Sequence, residues 1–98
     1  MTAYYVMIEG KPKDTNPESA ETKGAYIDVW VKSDLLEDAV QKAKDYVEQE
    51  EWEVISIEES AEAVREDYVD DSDLLECYDE ACEEGISALF YTWDEDEE

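Results

Sequence analysis

The stretch AYIDVWVKS, residues 25–33, alternates two kinds of side chain without a break. Ile27, Val29 and Val31 point one way, and Tyr26, Asp28 and Trp30 the other, as a pleated strand with two different faces requires. A helix signature follows at once. Asp34 with Glu37 three residues on reads as a capping box. Leu35, Leu36, Ala39, Val40, Ala43, Tyr46 and Val47 then form one apolar stripe at helical spacing. A two-faced strand feeding an amphipathic helix buries both apolar surfaces only in a layered fold.

The same patterns give three more strands and a second helix. Residues 3–9, 52–59 and 86–93 are rich in β-branched and aromatic residues. Residues 10–24 hold both prolines and two of the three glycines, and read as a long flexible loop between two strands. Residues 60–71 fit a short helix or a turn. Residues 72–85 read as the second helix, with Asp73 and Glu76 as its capping box and Gly85 as its stop. The expected architecture is α+β: a two-layer sandwich in β-β-α-β-α-β order, with both helices on one face of a four-stranded sheet. Helical crossovers give parallel pairs where the joined strands are neighbours, so a mixed sheet is expected. At 98 residues the chain is one domain, 1–93, followed by an acidic tail, 94–98.

Charge narrows the function more than the fold. The net charge is −24, with 7 basic and 31 acidic residues. Residues 1–50 carry a net −5, whereas residues 51–98 carry −19 with Arg65 as the one base. Phosphates are repelled by such a surface, so nucleic acid and anionic membranes are unexpected as direct partners, and basic proteins are the natural ones. No basic segment followed by an apolar one succeeds Met1, so no signal peptide is expected and the expected location is the cytoplasm. Cys77 and Cys82 lie five apart, about 140° around a helix, and are expected to stay reduced.

The chain has no histidine. It therefore lacks the commonest general base and the commonest metal ligand, and a Ser-His-Asp or Cys-His site is impossible within it. No phosphate-cradling glycine motif is present. Residues 67–76, DYVDDSDLLE, gather acids but lack the glycine and twelfth-position glutamate of a calcium loop. The expectation is a protein that is not an enzyme and needs no cofactor or metal.

The second helix carries the sharpest functional signal. Glu76, Asp79, Glu80 and Glu83 lie opposite its apolar side. Like charges at i,i+4 cost about 0.2–0.5 kcal/mol per pair, and Glu83 and Glu84 oppose the helix dipole. With Asp73 and Glu84 included, the helix carries one charge per about 2.8 Å of axis. Duplex DNA carries one per about 1.7 Å and a single strand one per about 3.4 Å. This phosphate-like density suits a basic protein surface, as in an inhibitor that mimics nucleic acid or an immunity protein for a nuclease. A solvated acidic face is the ordinary alternative. A homodimer built on an aromatic sheet face, with Tyr26, Trp30 and Trp93 exposed there, is a second reading. A cation-binding protein is a third.

Overall fold

The computed structural model describes residues 2–17 and 22–94. The chain runs β1 (Thr2–Pro12), β2 (Thr22–Ser33), α1 (Leu36–Gln49), β3 (Trp52–Glu62), a 3-10 turn (Arg65–Tyr68), α2 (Ser72–Glu84) and β4 (Ile86–Asp94). It is an α+β protein with one four-stranded sheet in the order β3-β1-β2-β4.

The sheet is antiparallel throughout, not mixed. A helical crossover makes a parallel pair only if the strands it joins become neighbours, and neither crossover here does so. β2 and β3 run the same way, but β1 lies between them, so α1 carries the chain over β1. The segment containing α2 then leads from one sheet edge, β3, to the other, β4.

The helices also lie on opposite faces of the sheet, not on one. Val6, Ile8, Ala25, Ile27, Val29 and Val31 pack beneath Ala39, Ala43 and Val47 of α1. On the other face Ala3, Trp30 and Ala63 pack against Ala81 of α2, with Tyr5, Leu74, Tyr78 and Leu89 around them. Trp30 sits between Val29 and Val31 in sequence, so the pleat alone sends it to the opposite side. Each face buries its own apolar set, and β2, a central strand, supplies both.

Helix starts differ in detail from the sequence patterns. The Asp34–Glu37 box is not formed, and Leu35 is the N-cap without a side-chain bond. Ser33 acts instead: its Oγ accepts from the Leu35 N–H at 3.4 Å and donates to Asp38 at 2.7 Å. Ser33, and then Lys42 at 3.1 Å, hold the Asp38 carboxyl below its usual range. α2 is capped by Asp71 rather than Asp73, its Oδ1 accepting from the N–H groups of Asp73 and Leu74 at 3.1 and 3.2 Å. Its end is as read: Gly85 takes φ 97° and donates to the Ala81 carbonyl at 2.8 Å, a left-handed closure that favours glycine.

The flexible loop expected over residues 10–24 is shorter, because β1 and β2 extend into it. Residues 13–17 are anchored: the Lys13 N–H and Asn16 Nδ2 both donate to the Glu51 carbonyl, at 2.9 and 3.1 Å. They brace the turn after α1, where Glu51 holds a left-handed φ of 67°. Residues 18–21 of that loop and 95–98 of the acidic tail lie outside the described residues. β3 is an edge strand with two register shifts against β1; Ile55 and Ile57 are exposed on it, while Trp52 and Val54 join the α1 core. Among the described residues no helix is long and apolar enough to cross a membrane.

Candidate functional site

α2 packs through Leu74, Cys77, Tyr78, Ala81 and Cys82, so Glu76, Glu80, Glu83 and Glu84 face outward and are exposed. Asp79 differs from them. Arg65, in the 3-10 turn, donates to both its carboxylate oxygens, at 3.0 and 3.3 Å. The pair raises the Arg65 guanidinium further above its ordinary value. The helix end is relieved as well, because Lys32 Nζ of β2 donates to the Cys82 carbonyl at 3.1 Å, where a cation complements the dipole. α2 is therefore not without basic compensation. Of the four acids read as partner-binding, Glu76, Glu80 and Glu83 have no ion pair among the described residues, and Asp79 is held by Arg65.

The aromatic residues divide differently from expectation. Trp30 is fully buried under α2 and is not part of an open face. Its ring meets Tyr5 at 5.6 Å and Tyr68 edge-on at 5.9 Å. Its Nε1–H is a buried donor without an acceptor among the described residues. Tyr26 and Trp93 do come together, with ring centroids 5.1 Å apart. Gly24 makes this possible, since a Cβ there would lie 2.6 Å from Trp93 Cζ2.

α2 covers only part of its sheet face. Beyond it, Met7 pairs with Asp28 across β1 and β2, and Tyr26 pairs with Tyr91 across β2 and β4. These four side chains line an open pocket of about 340 Å³. Tyr26 and Tyr91 are 43% and 49% exposed, but Asp28 at the floor is only 8% exposed. The Tyr5 hydroxyl donates to Asp28 Oδ1 at 2.8 Å.

Electrostatics mark this pocket. Burial raises the Asp28 carboxyl, the Tyr5 hydrogen bond lowers it, and nearby Glu59 raises it again, for a net rise. Tyr5 is pushed well up by burial and then by Asp28. Burial, then Asp28, Asp71, Cys77 and Asp73, raise Tyr91. The acids at the N-terminal end of α2 thus lie near enough to act on Tyr91.

A carboxyl whose folded pKa is raised lends stability that is complete below its unfolded pKa and is lost as pH rises through the folded one. Ionised Asp28 therefore costs stability at neutral pH. Asp28→Asn keeps an acceptor for Tyr5, so its denaturation midpoint should exceed that of the native protein at pH 7. The gain should shrink toward pH 4, and urea melts at both values check it. An equal or lower midpoint at pH 7 would refute the cost.

Sequence reading missed Asp28 because an aspartate on the polar side of an alternating strand looks like a solvated residue. The available signal was its setting between Tyr26 and Trp30. Among the described residues no group of three or more Cys, Asp or Glu converges as metal ligands would. Compared with known proteins, the chain matches no family model, and no curated protein or solved structure is significantly similar to it.

Proposed function

We propose that this is a cytoplasmic, non-enzymatic interaction protein whose α2 side docks on a basic protein surface. A nucleic-acid-binding protein held in check by a charge mimic, or a nuclease toxin met by its immunity protein, is the kind of partner that fits. The observation that supports this most is the outward row Glu76, Glu80 and Glu83. Their neighbour Asp79 is neutralised by Arg65, whereas no ion pair reaches these three among the described residues. Like charges at this spacing work against the helix, and a basic partner removes that cost on binding.

The test separates α2 charge from α2 structure. Asp79 stays, so that its Arg65 pair survives, and Glu76, Glu80 and Glu83 become Gln together. The native protein should capture a basic partner from its own lysate at low salt and release it at high salt. With that partner purified, the triple variant should bind about tenfold or more weakly while unfolding at an equal or higher denaturant concentration. Undiminished binding by the folded variant would end the α2 reading.

A further inference from the structure

The pocket beside α2 poses its own question. Asp28 is a nearly enclosed carboxylate with one protein donor among the described residues, Tyr5, on one oxygen. Among the described residues no lysine or arginine pairs with it. Buried carboxylates are normally paired or take several hydrogen bonds. Around it stand two half-exposed tyrosines and a methionine, with Trp93 backing Tyr26. Aromatic walls over a carboxylate floor form the arrangement that holds an organic cation, the ring faces and the charge acting together.

We propose that this pocket is a lysine-binding site, receiving one lysine side chain from a basic protein partner with Asp28 as counter-ion and Tyr26 and Tyr91 as walls. This deepens the basic-partner reading and rests on it for the source of the lysine. Three observations favour lysine. The Tyr5 hydroxyl already takes one acceptor site of Asp28 Oδ1, so the fork of a guanidinium would have to share that oxygen, whereas an ammonium needs only the other. The apolar stem of lysine matches the Met7 and tyrosine lining. Glu59 on the same patch, and Asp71 and Asp73 at the near end of α2, add to the negative field that would draw the cation in.

The chain has two methionines, Met1 and Met7, and the ¹³C-methyl signal of Met7, assigned by its loss in Met7→Leu, reports from inside the pocket. The full chain would be titrated with Nα-acetyl-lysine methylamide. Nα-acetyl-norleucine methylamide serves as the neutral control and the arginine analogue as the fork control. The lysine probe should give a saturable Met7 shift. About tenfold or greater weakening is expected for norleucine and for Asp28→Asn, whose fold is verified by near-UV circular dichroism. The arginine probe should bind several-fold more weakly than lysine.

No saturable shift, equal binding of norleucine, equal binding of arginine, or undiminished binding by Asp28→Asn would each overturn the site. So would a Met7 shift that follows protein concentration instead of probe, since a second copy would then cover the patch. The Glu76, Glu80 and Glu83 triple variant should keep its lysine affinity within about threefold. If that variant loses the protein partner but keeps the probe, both readings stand. If Asp28→Asn keeps the probe while the triple variant loses the partner, the pocket fails and the helix reading survives.

Discussion

Trp30→Ala should destabilise the protein by about 3–5 kcal/mol, the usual loss when a large buried aromatic is truncated. Trp30 is fully buried and touches both rings that flank it, Tyr5 and Tyr68. It is the largest of the fully buried side chains and belongs to the cluster that seats α2 on the sheet. For a domain whose total stability is about 5–15 kcal/mol, that loss is a large share. At low salt, with 24 net negative charges repelling one another, the variant should be partly unfolded, and added salt should restore it. Trp30→Phe should lose less than half as much, because it keeps an apolar ring and removes the donor that finds no acceptor. Urea titrations in low and high salt check both. A loss under about 1 kcal/mol for Trp30→Ala would mean that burial here contributes no more than about one methylene's worth.

Gly24→Val should cost about 1–3 kcal/mol by overpacking and should also part Trp93 from Tyr26. A Cβ at residue 24 falls 2.6 Å from Trp93 Cζ2 and 3.0 Å from the Gly10 carbonyl oxygen. The indole can swing aside, but the β1 backbone is fixed by its pairing with β2. The expected readout is a melting temperature lower by about 4–8 °C per kcal/mol, together with a red-shifted tryptophan emission. Trp30 and Trp52 are buried, so that shift would come from Trp93. An unchanged spectrum and melt would contradict the close approach.

The periodic parts of the fold were legible in the residues. All four strands and both helices follow from alternation, stripes and the Gly85 stop, with ends displaced by a few positions. Which face each helix covers was not. β2 is apolar on one side through Ile27, Val29 and Val31, and the other side carries Trp30 beside Asp28 and Lys32. Local pattern reads the second side as open. Only the path of the chain from one sheet edge to the other brings α2 over it. The acidic row of α2 was visible as a row, but the cations that temper it come from 14 and 50 residues away, in Arg65 bound to Asp79 and Lys32 bound to Cys82. Capping shifted for a local reason: Ser33 and Asp71 reach the free N–H groups, and the neighbouring Asp34 and Asp73 do not act as caps.

The two borders of the sheet are unequal, and that limits how copies of it can grow. β3 presents Glu53, Glu58, Glu59 and Glu62, all exposed, along a strand interrupted by two register shifts, and such features keep a foreign strand from adding. β4 carries no charged side chain before Asp94. Of the two borders only β4 lacks these blocks, so two sheets joined β4 to β4 would leave β3 outermost on both sides, and such an addition would close at a pair instead of growing into a filament.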